Sequence, residues 1–176
     1  MKSKKNIVFL GMMGSGKTSI GSLISKKLSL DFFDIDQSIE KELNMKISEI
    51  FEIKGEDYFR KFEEKISLEI LKKENIVIAL GGGAFMNKNI RKVVLSDHLS
   101  FWLKINNNEI IKRIRNNPKR PLAFKSTNED LLKLIKKRSN IYSKALYKIN
   151  CNNLTKTKTV DKILKLYERK KINNQS

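Results

Sequence analysis

Gly11-Met12-Met13-Gly14-Ser15-Gly16-Lys17-Thr18 matches G-x-x-x-x-G-K-[ST], the spacing of a loop that wraps nucleotide phosphates. Its glycines let consecutive backbone N–H groups turn inward on phosphate oxygens, and a following helix adds partial positive charge at its N-terminus. On this reading Gly14, Ser15, Gly16, Lys17, Thr18 and Ser19 hold the nucleotide. Lys17 reaches the terminal phosphates as a catalytic cation, and the Thr18 hydroxyl is placed to ligate Mg²⁺.

Three further groups carry chemistry. Asp34 and Asp36 follow an apolar run with one residue between them, so extended geometry predicts both carboxylates on one face, able to hold magnesium through water and to orient an acceptor hydroxyl. Gly81-Gly82-Gly83 allows a close backbone approach to an oxygen-rich ligand. Arg60, Arg120 and Arg138 stand out because arginine is scarce in this lysine-rich chain, and guanidinium binds carboxylate and phosphate bidentately.

The elements that must position these groups are legible as apolar patterns. Ile7–Leu10 is a short branched run stopped by Gly11, and Ile76–Leu80 is another stopped by the three glycines; Phe32–Ile35, Leu99–Ile105 and Tyr147–Cys151 complete the predicted strands. Helical spacing begins at Thr18–Leu28, resumes from Ile39, breaks at Gly55 and continues to Leu71. Further helices are predicted over Glu109–Arg115, Asn128–Leu146 and Val160–Tyr167, with Pro118 and Pro121 in a basic flap between the first two. Strands alternating with helices predict an α/β fold, a parallel sheet covered on both faces. His98 reads as surface, Trp102 and Cys151 as core.

A chain of 176 residues with 40% hydrophobic and 32% charged content fits one domain with its own core. One cysteine allows no internal disulfide, and no apolar run reaches the roughly 18 to 20 residues that span a bilayer. The net charge of +18 comes mainly from lysines scattered along the chain, which reads as a solvated surface and not as a nucleic-acid footprint. No N-K-x-D element is present to read guanine. The short length favours a compact small-molecule kinase, with a regulatory or nucleic-acid-binding P-loop protein as the alternative from another class.

Taken in order, these motifs resemble the shikimate kinases. Phe33-Asp34-Ile35-Asp36 is similar to that family's D-x-D, Phe59-Arg60-Lys61-Phe62-Glu63 to its F-R-x-x-E, Gly81-Gly82-Gly83-Ala84 to its glycine turn, Arg120-Pro121-Leu122 to its lid arginine, and Arg138 with Tyr142 to its R-x-x-x-Y. The resemblance runs over about Asn6–Tyr167. It implies a three-layer P-loop kinase fold within a single domain, 1–176, with a five-stranded parallel sheet, a helical substrate-binding region over about 37–63 and a lid over about 115–127. It implies transfer of the γ-phosphoryl group of MgATP to the 3-hydroxyl of shikimate, in chorismate and aromatic amino-acid synthesis. Thr18 and Asp34 are the expected metal residues, Asp36 the expected general base and hydroxyl ligand. Arg60 and Arg138 are expected to clamp the acceptor carboxylate, Gly82 and Gly83 to contact its hydroxyls, and Phe51 and Phe59 to pack on its ring. Lys17 and Arg120 stabilise the transferring phosphoryl group and contact ATP. Adenine stacking falls to Arg113 or Arg115, and the loop after Cys151 has Lys156 or a neighbour where many members place a proline. The expected partners are shikimate and ATP, with no membrane or nucleic acid, for a cytoplasmic monomer.

Overall fold

The first strand, β1 (Ile7–Leu10), is buried along its whole length. Its alternate side chains enter different cores, which explains the unbroken apolar run: Ile7 and Phe9 face one layer of helices, Val8 and Leu10 the other. The computed structural model describes residues 6–116 and 126–173. Arg120, both prolines and most of the expected lid lie outside the described residues.

After β1 the chain forms α1 (Lys17–Leu28), β2 (Asp31–Asp34), α2 (Ile35–Leu43), α3 (Ile47–Leu71), β3 (Ile76–Ala79), a short 3₁₀ turn (Ala84–Met86) and α4 (Lys88–Asp97). It continues through β4 (Leu99–Lys104), α5 (Asn107–Arg115), α6 (Asn128–Tyr142), β5 (Tyr147–Asn150) and α7 (Lys156–Asn173). The five strands pair in parallel in the order β2-β3-β1-β4-β5. The chain moves outward from β1 to β2, then returns to lay β3 between them. The carboxyl ends of β1 and β3 are thereby neighbours, and Leu80 N–H donates to Phe9 O at 2.9 Å across them. In doubly wound sheets the crevice opens at such a reversal of strand order.

Several local expectations change. β2 ends at Asp34, and Ile35 already belongs to α2, because the Asp34 carboxylate caps that helix by accepting the Gln37 backbone N–H at 3.2 Å. Asp34 and Asp36 are therefore an N-cap and a first-turn residue, and the extended, co-facial arrangement does not form. The helix at Asn128 stops at Tyr142, four residues early, and a turn over 143–146 leads into β5. His98 is only 1% exposed, since it joins α4 directly to a strand inside the sheet.

Gly55 divides α3. Its φ of 81° and ψ of 169° belong to a region essentially closed to other residues, so the break that apolar spacing located is a backbone kink within one continuous run.

Candidate active site

The phosphate loop connects β1 to α1 through three positive-φ glycines, Gly11 (144°), Gly14 (77°) and Gly16 (93°). Lys17 Nζ donates to the carbonyls of Gly11 and Met12, both at 3.0 Å, which folds the ammonium back over the loop. Ser15 Oγ is buried and has no hydrogen-bond partner among the described residues, an orphan polar atom that a methyl on Gly11 would meet at 2.9 Å. Ser19 is exposed on the first turn of α1. Thr18 Oγ1 donates to Asp34 Oδ2 at 2.6 Å. A hydroxyl and a carboxylate meeting beside a phosphate loop are hard oxygen donors, a set that fits Mg²⁺.

The glycine turn after β3 is the floor on which the other candidates converge. A methyl group on Gly81 would lie 2.6 Å from Asp36 Oδ1 and 2.6 Å from Glu63 Oε1. On Gly82 it would lie 3.4 Å from Arg138 Nη1 and 3.4 Å from the Met13 backbone nitrogen. On Gly83 it would lie 2.5 Å from Arg60 Nη1. Asp36, Arg60 and Arg138, separated by up to about a hundred residues, thus reach three successive glycines, and the middle glycine also touches the phosphate loop. Arg138 Nη1 is buried and has no hydrogen-bond partner among the described residues.

Arg60 is held in place. Its Nη1 donates to Glu63 Oε2 at 2.7 Å and its Nε to Glu56 Oε1 at 3.2 Å. Beneath it, the rings of Phe51 and Phe59 lie 4.7 Å apart, with the guanidinium carbon 5.9 Å and 5.1 Å from their centres. Phe59 is core and Phe51 half-buried, so the pair forms an aromatic shelf under the arginine.

Glu63 is the residue that motif reading left without a role. Only 3% exposed, it lies between Arg60 and Asp36. Burial raises its carboxyl above the usual range; Arg60 pulls it back, the Asp36 carboxylate raises it again, and Arg138 opposes. The three-residue spacing from Arg60 on a helix is the signal that could have found it.

The two arginines left open for adenine separate cleanly. Arg113 Nη1 donates to Gly14 O at 2.9 Å and its Nε to Glu109 Oε1 at 2.8 Å, so it stands against the phosphate loop. Arg115 instead bonds the Ser126 carbonyl and Asn128 Oδ1, tying the end of α5 to the start of α6. Lys156 begins α7 as an exposed residue, and Cys151 is half-buried instead of core.

The family model described as shikimate kinase matches residues 13–168. The chain belongs to the shikimate kinase family. It is 42% identical over 166 residues to the shikimate kinase of Thermodesulfovibrio yellowstonii, covering 94% of this chain and 96% of that one. A solved shikimate kinase from Acinetobacter baumannii in complex with shikimate superposes with a TM-score of 0.88 at 29% identity, over 96% of this chain and 95% of the other. A gluconokinase from Sinorhizobium meliloti also superposes, at TM-score 0.63 and 15% identity over 100% and 99% of the two chains, a likeness that shows the P-loop kinase fold alone. Family membership makes the chain an ATP-dependent phosphotransferase and separates it from the regulatory and nucleic-acid-binding readings.

Proposed function

We propose that the phosphate loop and the Gly81–Gly83 turn together carry out the reaction of the family, transfer of the γ-phosphoryl group of ATP to the 3-hydroxyl of shikimate, on the route to chorismate and the aromatic amino acids. The observation that carries the division of labour is the Gly82 contact, where a single methyl would lie 3.4 Å from both Arg138 Nη1 and the Met13 backbone nitrogen of the phosphate loop. An acceptor carboxylate gripped by Arg138 and Arg60 would lie within a few ångströms of the loop that holds the nucleotide. Bidentate guanidinium pairing suits that carboxylate, and the unpartnered Nη1 of Arg138 supplies a ready donor.

Asp36 approaches Gly81 beside the buried Glu63, where its carboxylate can accept the proton of the acceptor hydroxyl. Gly82 and Gly83 contact the acceptor hydroxyls. Gly14, Ser15, Gly16, Lys17, Thr18 and Ser19 cradle the phosphates, with Lys17 and Arg120 stabilising charge on the transferring group. Thr18 and Asp34 would hold Mg²⁺, which when bound neutralises phosphate charge. Arg113, seated on Gly14, is the arginine assigned to adenine.

No helix among the described residues is long and apolar enough to cross a membrane. The working state proposed is a cytoplasmic monomer. The test is ADP release with MgATP in the presence of shikimate, gluconate, AMP or no acceptor. Release dependent on shikimate is expected; release equal with gluconate or AMP, or independent of acceptor, would refute the acceptor assignment.

A further inference from the structure

Tyr142 ends α6 one turn after Arg138 and is fully buried. Its hydroxyl donates to the carbonyl of Gly82, 60 positions away in sequence, and lies 3.9 Å from Met12 Sδ in the phosphate loop. Its ring packs 6.0 Å from that of Trp102. Burial pushes the phenol up to about 12, with the neighbouring Arg138 pulling the other way, so at neutral pH the hydroxyl keeps its proton and remains a donor.

A phenylalanine ring would fill this space equally well. The buried hydroxyl adds a desolvation cost that packing does not require, offset by its bond to one particular carbonyl. That carbonyl matters because the Gly82 C=O and the Gly83 N–H belong to one planar peptide unit. No cis bond is present among the described residues, so the two groups point in opposite directions. Holding the carbonyl against Tyr142 therefore aims the Gly83 N–H at the opposite face of the turn. Glycines at 81, 82 and 83 leave this segment with little stiffness of its own. Arg138 neighbours the hydroxyl, and its Nη1 would lie 3.4 Å from a methyl on Gly82.

We propose that the Tyr142 hydroxyl is a positioning group for the acceptor: it fixes the Gly82–Gly83 peptide and sets Arg138 beside it, so that the Gly83 N–H and the guanidinium meet the acceptor as one preformed unit. The proposal rests on the acceptor assignment above. Its action is indirect, through the peptide and the arginine, and it adds a residue to the site that no nucleotide or acceptor group needs to touch.

The test compares wild type with Tyr142→Phe, which keeps the ring and removes only the hydroxyl. Shikimate affinity is read by calorimetric titration, KM and kcat by steady-state kinetics, and exchange of the Gly83 amide by NMR without ligand. The expected result is a shikimate Kd and KM raised on the order of tenfold, the loss of about one hydrogen bond's preorganisation. The ATP KM stays unchanged and Gly83 exchange accelerates. A 3-fluorotyrosine in place of Tyr142 keeps a donor hydroxyl and should restore the wild-type values; if Tyr142→Phe folds poorly, NMR relaxation of the Gly83 amide in ligand-free wild type takes its place, an ordered amide being expected and a mobile one overturning the proposal. Unchanged shikimate affinity with either slow or fast Gly83 exchange overturns the proposal, as does an equal rise in both substrates' KM. Wild-type protein that fails to bind shikimate defeats the acceptor assignment, and the proposal with it, before any variant is made.

Discussion

Thr18 and Asp34 join the nucleotide side of the site to the acceptor side: Thr18 Oγ1 donates to Asp34 Oδ2 at 2.6 Å, while Asp34 Oδ1 accepts the Gln37 backbone N–H at 3.2 Å. One carboxylate therefore starts helix α2, which carries Asp36, and steadies the hydroxyl expected to ligate magnesium.

The two duties of Asp34 can be separated by substitution. Asp34→Asn keeps a good capping oxygen and loses the charge, so thermal stability should stay near wild type while the Mg²⁺ concentration for half-maximal activity rises. Asp34→Ala loses both, and unfolding should cost about 0.5 to 2 kcal/mol less. Magnesium titrations of activity alongside thermal melts check this; an unchanged magnesium requirement in Asp34→Asn would remove Asp34 from the metal site.

Asp36→Asn should lower kcat by roughly 10² to 10⁴ and leave the ATP KM near wild type, because the amide cannot take the acceptor's proton. Steady-state kinetics with each substrate varied in turn decides it. A kcat within a few-fold of wild type would assign the proton to another group.

Gly83 and Gly55 predict opposite kinds of damage. A methyl on Gly83 would meet Arg60 Nη1 at 2.5 Å, and Arg60 is pinned by Glu63 at 2.7 Å, so Gly83→Ala should displace the guanidinium and weaken acceptor binding. A methyl on Gly55 meets nothing within 4 Å, but the backbone there has φ 81° and ψ 169°. Gly55→Ala should destabilise the fold by about 1 to 3 kcal/mol, with the acceptor KM of the folded fraction little changed. Melts and kinetics on both variants test the contrast.

Glu63 makes stability depend on pH. Its carboxyl is raised above the ordinary glutamate value of 4.5 by burial, despite Arg60, so between that value and the raised one the native state holds more proton than the unfolded chain. Stability from this group is present below 4.5 and falls as pH rises through the window. Glu63→Gln removes the titration, so the stability advantage of wild type over the variant should shrink with rising pH across it. A gap that widens would mean that the ion pair with Arg60 outweighs burial. Denaturant melts at several pH values make the comparison.

The features legible along the chain are local. The phosphate loop, the strand before it, the glycine turn after β3 and the kink at Gly55 all rest on backbone conformations that a few neighbouring residue types dictate. Shared motifs in the right order then suffice for the family. The helical starting point of α2 escaped because the Asp34 cap competes with extended geometry over a single residue, and His98 escaped because nothing in its neighbours shows how tightly α4 turns into β4. Packing of whole elements settles which distant groups meet. Arg113 and not Arg115 on the phosphate loop, and Tyr142 on the Gly82 carbonyl, depend on the β2-β3-β1-β4-β5 order bringing β1 and β3 side by side. Contacts between residues 60 or more positions apart are set by how whole elements pack, and no short spacing along the chain encodes that.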